Sequence, residues 1–245
     1  MGQGSIHVGV AGWSIASRHA PDFPKSGSHL ERYAGRLDCV EINSSFHRPH
    51  RFETYARWSD SVPPDFRFSV KLPKAITHEL RLGGADAALD AFLAQASGLG
   101  PKLSVILVQL PPNLSFDTAV AGAFFEALRA RTTVDIALEA RHADWFTADV
   151  SPLLDRHRVA RVIADPQRFE PAEPGTKRGG LAYFRYHGAP RIYYSDYPPE
   201  RLEEIARRVA AAAASADAVW CIFDNTAASH ALGNALTTKK RVRSR

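Results

Sequence analysis

A chain of 245 residues with 45% hydrophobic and 23% charged residues can build one sizeable core and is too apolar to be intrinsically disordered. The formal net charge of +5 would raise nucleic-acid binding, but Lys239, Lys240, Arg241, Arg243 and Arg245 supply five positive charges, and the rest is balanced at 26 basic and 26 acidic residues. Met1 to Gly12 lacks a basic stretch followed by an extended apolar core and no run reaches membrane-spanning length, so a soluble, cytoplasmic protein is expected.

In chain order, Leu30, Tyr33, Ala34 and Leu37 lie at helical spacing behind Ser28, which predicts a capped helix. Cys39 to Asn43 is a strand-length apolar run, Phe52, Tyr55, Ala56 and Ser59 form a helical stripe, and Phe68 to Lys71 is another strand. Leu89, Phe92, Leu93 and Ala96 predict a helix before a strand at Val105 to Gln109. Asp117 caps a helix carrying Val120, Phe124 and Leu128, and Ile136 to Arg141 and Val162 to Asp165 are the next strands. Pro166 to Gly180 is rich in Pro, Gly and charge with no clear helix, either a lid or a plain surface excursion. Tyr183 to His187, a helix over Pro198 to Ser215, and Trp220 to Asn225 complete the series. Cys39 and Cys221 fall inside strands and read as buried apolar residues.

Nearly every strand ends in charged or amide residues. Parallel strands covered on both faces read as continuous apolar runs, and a polar residue at so many carboxyl ends has one simple explanation. The ends line the mouth of a (β/α)8 barrel, an α/β fold of the TIM type, in which the mouth is where chemistry is done. One barrel over residues 1–238 is expected, with an irregular or missing helix after the sixth strand and a basic, solvated tail at 239–245.

Strand side chains alternate faces, so parity selects the inward set. Cys39, Glu41 and Asn43 share a face, as do Ser69 and Lys71, Glu139 and Arg141, and Arg185 and His187. Helix-facing positions must be apolar. Glu41, Asn43, Lys71, Gln109, Glu139, Arg141, Asp165, Arg185, His187 and Asp224 are therefore expected in or near the mouth. Buried ionisable groups must pair, so one reading is a closed ion-pair scaffold, and the other, favoured by the position at the strand ends, is an active site.

Glu41 and Glu139 are candidate acid and base, and His187 a proton carrier or a hydrogen-bonded core residue. Lys71 reads as a general base, a Schiff-base amine, or a cation paired to Glu41 or an anionic substrate. Arg141 and Arg185 suit phosphate or carboxylate. Glu41, Glu139, Asp165, Asp224 and His187 could hold a divalent cation, the less favoured reading because cations adjoin them. Asn225, with the small polar residues after it, could hold an anion at a helix start or serve as a cap. Trp13 and His142 lie beyond strand ends, where Trp13 and the loop aromatics Phe46, Tyr193, Tyr194 and Tyr197 could stack on a ligand or cover the core.

These residues carry a resemblance to the YecE-like family, domain of unknown function 72. It rests on Gly9-Val10-Ala11-Gly12-Trp13-Ser14, Tyr33-Ala34, Val40-Glu41-Ile42-Asn43-Ser44-Ser45-Phe46, Phe66-Arg67-Phe68-Ser69-Val70-Lys71 and Ile76-Thr77-His78 in the first part of the chain. Gln109-Leu110-Pro111-Pro112, Glu139-Ala140-Arg141-His142 with Trp145, Arg185-Tyr186-His187-Gly188 and Phe223-Asp224-Asn225 follow in order. His47 and Asp224 depart from the usual pattern. The resemblance implies a TIM-barrel-like fold and supplies no reaction. The expectation is an enzyme performing isomerisation or hydrolysis by acid/base chemistry on a small anionic or sugar-like molecule. The alternative is a non-catalytic barrel binding phosphate or nucleic acid.

Overall fold

The computed structural model describes residues 4–170 and 180–244. Strand β1 is Ser5–Val10, followed by helix α1, His29–Ala34, and β2, Cys39–Ile42. Helices α2, Ser44–His47, and α3, Phe52–Asp60, lead to β3, Arg67–Lys71; α4, Asp86–Ala96, leads to β4, Leu103–Gln109. Helix α5, Thr118–Arg131, precedes β5, Asp135–Glu139, and α6, Val150–Arg156, precedes β6, Val159–Asp165. Then come β7, Leu181–Tyr186; α7, Pro199–Ala213; β8, Ala218–Phe223; and α8, Ala231–Arg243. Among the described residues no helix joins β6 to β7; most of the interval from Pro166 to Gly180 lies outside them.

All eight strands are parallel, in the order β1-β8-β7-β6-β5-β4-β3-β2. The ring closes between β1 and β2 through a bridge from Ala11 to Glu41, with Gly12 N–H donating to Glu41 O at 2.9 Å. Side chains do the rest of the joining. Val10 N–H donates to Tyr33 Oη at 3.0 Å, Tyr33 O–H donates to Cys39 O at 2.8 Å, and Val8 N–H donates to Asp38 Oδ1 at 3.1 Å. Glycine at position 9 permits the approach, since a Cβ there would sit 2.2 Å from Cys39 O.

Two apolar layers follow from strand alternation. Val8, Val40, Ile42, Val70, Ile106, Leu138 and their neighbours face the helices. Cys39, Val105, Leu107, Ala137, Val162, Tyr183, Trp220 and Ile222 fill the barrel interior. Above this plug, toward the carboxyl ends, the inward positions become polar. α1 begins with the capping box expected of Ser28, whose Oγ accepts from Glu31 N–H, and Asp117 caps α5 through Ala119 and Val120 N–H.

The carboxyl terminus differs from the sequence reading. Residues 239–243 are the last turn and a half of α8 and not a solvated tail. Lys239 Nζ lies 2.9 Å from Asp38 Oδ2, and Arg241 lies 3.5 Å from Glu203. Two of the basic residues there are paired, and Lys239 neutralises the carboxylate that bridges the β1–β2 seam. No helix among the described residues is long and apolar enough to cross a membrane.

Candidate functional site

Arg185 is the centre of the polar layer. The inward parity of β7 carries it to the axis, where it is fully buried. A guanidinium there needs anions on every edge. Its Nε donates to Glu41 Oε2 at 3.0 Å, and Nη2 donates to Glu41 Oε1 at 2.7 Å and Asp224 Oδ2 at 3.0 Å. Nη1 donates to Glu139 Oε2. Three carboxylates from β2, β5 and the end of β8 thus converge on one cation. Burial works against its charge, but these carboxylates raise its pKa well above the ordinary arginine value.

The carboxylates are held as tightly. Glu41 is fully buried, and Tyr183 O–H donates to its Oε2 at 2.8 Å while lying 2.9 Å from Ser69 Oγ. Glu139 Oε1 accepts from Gln109 Nε2 at 3.0 Å and from Arg141 Nε at 2.9 Å. Burial opposes the charge of Glu139, yet Arg185, His187 and Arg141 hold its pKa well below the carboxylate range. Neither Glu41 nor Glu139 is placed free to exchange protons, the role expected from the sequence: the Glu41 oxygens are taken up by Arg185 and Tyr183, and those of Glu139 by Arg185, Gln109 and Arg141. Arg185 likewise has each guanidinium nitrogen engaged by a carboxylate of the protein, in place of the anion-holding role expected of it.

The groups with unmet capacity stand around this knot. His187 Nδ1–H donates to Asp224 Oδ2 at 3.0 Å; its Nε2 stands 3.3 Å from Glu139 Oε1, within ion-pair distance but outside hydrogen-bond geometry. Burial lowers its pKa, but Glu139 and Asp224 outweigh burial and raise it above the ordinary histidine value. Burial of Asp224 is similarly outweighed by Arg185 and His187, and its pKa is lowered. The Lys71 side chain, in a residue 8% exposed, makes no hydrogen bond or ion pair among the described residues, and its Nζ stands 3.9 Å over the Phe46 ring. Burial first, then Arg185, brings the Lys71 pKa down to about 8. Arg141 is 30% exposed at its side chain and reaches toward Tyr193, whose ring stands edge-on to His187 at 5.8 Å.

Glu139, Arg141, His187 and Tyr193, with Phe146 and Arg168, line a cavity of about 170 Å³. Phe46 also meets His78 edge-on at 4.9 Å, in the π turn Ala75–Glu79 after β3. Asn43 is half-buried just beyond β2, its Oδ1 without a partner. Trp13 is half-buried in the loop after β1, edge-on to Trp58 at 4.9 Å. His142 sits where its Nδ1 accepts from Asp144 N–H and caps the turn Ala143–Phe146. Tyr183, Phe46, Tyr193 and His78 complete the surroundings; Tyr183 shares the parity of Arg185 and was legible on that ground.

Two expected mouth residues face elsewhere. Asp165 lies on the helix side of β6, because Val162 points inward and three residues reverse the face; it pairs with Arg201 of α7 at 3.0 Å. Asn225 is buried behind β8, donating to Ser195 O at 3.0 Å and Asn234 Oδ1 at 2.8 Å. Its amide fastens α8 to the segment before α7, and its Oδ1 has no hydrogen-bond partner. Among the described residues no group of His, Cys, Asp and Glu is arranged to hold a metal ion, since the carboxylate oxygens are directed at Arg185 and its neighbours.

Comparison with known proteins places the chain in a family. Residues 7–245 match the family described as protein of unknown function DUF72. The UPF0759 protein YecE of Escherichia coli is 28% identical over 176 residues, 69% of this chain and 62% of that protein. The UPF0759 protein YunF of Bacillus subtilis is 23% identical over 75% of this chain and 70% of its own length. The match thus spans less than two thirds of the YecE protein. A crystal structure of a DUF72 family protein from Enterococcus faecalis superposes with a TM-score of 0.82 at 24% identity, covering 97% of this chain and 95% of that one. One from Thermotoga maritima gives 0.80 at 24% identity, covering 98% and 99%. These likenesses show the barrel fold.

Proposed function

Given that the chain belongs to the DUF72 family, whose description names no reaction, we propose from its site that the barrel mouth is a catalytic centre for a small anionic, sugar-like substrate. The reaction is acid/base chemistry at the carboxyl ends of β3, β5 and β7. His187 is the proton donor, Lys71 the base or nucleophile, and Arg141 the anchor for phosphate or carboxylate.

One observation carries this reading. The carboxylates Glu41, Glu139 and Asp224 are matched by Arg185, Arg141 and His187, which leaves the buried Lys71 as a surplus cation with no ion-pair partner among the described residues. A scaffold built only for stability has no use for an unmatched buried ammonium, whose desolvation costs several kcal/mol. An anion in the mouth supplies the missing charge. Non-catalytic binding of a polynucleotide would instead require a broad basic track, and the basic residues of α8 at positions 239 and 241 are turned to Asp38 and Glu203.

Calorimetric titration with inorganic phosphate, glucose 6-phosphate and pyruvate tests the proposal. Binding that weakens at least about tenfold in Arg141→Met, with the fold intact, is expected from the loss of a charge-assisted contact. A mouth that takes none of these ions overturns it. So does binding that needs a polynucleotide and falls steeply with salt.

A further inference from the structure

Resting on that reading of the mouth, we propose that Lys71 is a covalent nucleophile and that the substrate is a small anionic aldehyde, ketone or 2-oxo acid, held as a protonated imine on its Nζ.

The position of the amine separates this role from two simpler ones. A lysine that balances the network would lie within ion-pair distance of a carboxylate, yet the oxygens of Glu41, Glu139 and Asp224 are directed at Arg185, Arg141, His187, Gln109 and Tyr183, and Nζ is given the face of Phe46. A lysine that only anchors an anion works best as a full ammonium at the rim. Lys71 is instead sunk at the end of β3, 8% exposed, with Arg185 repelling its charge. Desolvation beside a second cation is the setting that frees an amine lone pair. With a pKa of about 8, on the order of 10% of Lys71 is neutral at pH 7, against about 0.03% for an exposed lysine near 10.5.

The acid we assign to the same step is His187. His187 is nearly buried, shares Arg185, Glu139 and Asp224 as electrostatic neighbours with Lys71, and lines the cavity, its Nε2 making no hydrogen bond and only an ion pair with Glu139 at 3.3 Å. The neutral amine attacks the carbonyl carbon, forming the C–N bond while the π pair moves to oxygen, which takes the His187 proton. The imidazole then recovers one proton from the positively charged nitrogen and returns it to the new hydroxyl. That group leaves as water, and the nitrogen lone pair closes the C=N bond. The products are the iminium, one water and neutral His187; no oxidant or reductant is consumed. Arg141, 30% exposed at its side chain on the same cavity, receives the carboxylate or phosphate.

The test is reductive trapping with pyruvate and cyanoborohydride at pH 7, with peptide mapping of the carboxyethyl adduct. The expected result is labelling of Lys71 on the order of a hundredfold faster than that of the exposed Lys25 and Lys240, following the ratio of neutral amine. Lys71→Met and Lys71→Arg should remove that label, and His187→Gln should slow it at least about tenfold while pyruvate still binds. Unfolding midpoints of the variants are measured alongside, and Lys71→Met is expected to fold well because it removes a buried charge. Calorimetric binding of pyruvate without a Lys71 adduct would overturn the imine and leave the anion-binding reading standing. Absence of both pyruvate and phosphate binding would overturn the reading beneath it as well. Labelling of Lys71 no faster than of Lys25 also counts against the proposal.

Discussion

Lys71→Met should make this protein more stable at neutral pH, and the size of the gain should depend on pH. The folded pKa of Lys71 is about 8 and the ordinary value is 10.5, so the unfolded chain binds more protons between these limits. Stability attributable to this group therefore rises with pH, and the cost of burying it is fully present below pH 8 and gone above about 10.5. At 1.36 kcal/mol per unit the cost is about 3 kcal/mol at pH 7 and about 1 kcal/mol at pH 9.5. Methionine keeps the unbranched shape and the contact with Phe46 while removing the charge. Urea unfolding at the two pH values should show wild type gaining about 2 kcal/mol relative to the mutant on going from pH 7 to 9.5. In thermal unfolding at pH 7 the mutant midpoint should be higher by roughly 6 to 12 °C for a chain of this size. A mutant that is destabilised equally at both pH values would refute the reasoning, because it would show that the ammonium is held favourably by the network.

Replacing Arg185 with methionine should lower stability by about 3–5 kcal/mol in urea unfolding, since it strands Glu41, Glu139 and Asp224 around a vacated centre. Truncation after Thr238 removes Lys239 from Asp38 and the last turns of α8, and should lower stability by about 2 kcal/mol, read as a midpoint several degrees lower. Asp165→Asn should leave anion affinity unchanged by calorimetry and cost no more than about 1 kcal/mol, because its partner Arg201 is on the helix side and 30% exposed. Anion binding should weaken as pH rises past about 8, where Lys71 loses its proton; a flat titration between pH 6 and pH 9 would contradict that assignment.

The strands were legible because each is a short apolar run closed by a polar residue, and face parity correctly brings Glu41, Lys71, Glu139, Arg185 and His187 to one end of one barrel. Parity failed at Asp165 for a physical reason: Val162, Ile163 and Ala164 are all apolar, so β6 carries no alternation to say which face is inward. Asp224 and Asn225 are adjacent, so only one can point at the axis, and nothing local selects it. A helix start after Asn225 was legible, but its run through residues 239–243 was hidden because Leu232, Ala235, Thr238 and Val242 are spaced helically yet diluted by lysines and arginines that read as solvated. The division of labour among the mouth residues was also beyond the sequence. Composition shows as many anions as cations, and only distance shows which of them are spent on one another.

The Arg185 knot has a consequence for assembly. Its ligands come from β2, β5 and β8 and it rides on β7, so the four components are scattered over more than two thirds of the chain. A shift of one residue in any of these strands would turn its charge toward the helices, where the layer is apolar. A partly closed ring therefore exposes or buries unmatched charge, and only the full circle in the right register discharges it. Apolar packing around the strands tolerates near misses in alignment; the central guanidinium does not. It works as a gauge of correct closure, and the strictness that makes it poor material for catalysis keeps the floor of the mouth in one position beneath Lys71 and His187.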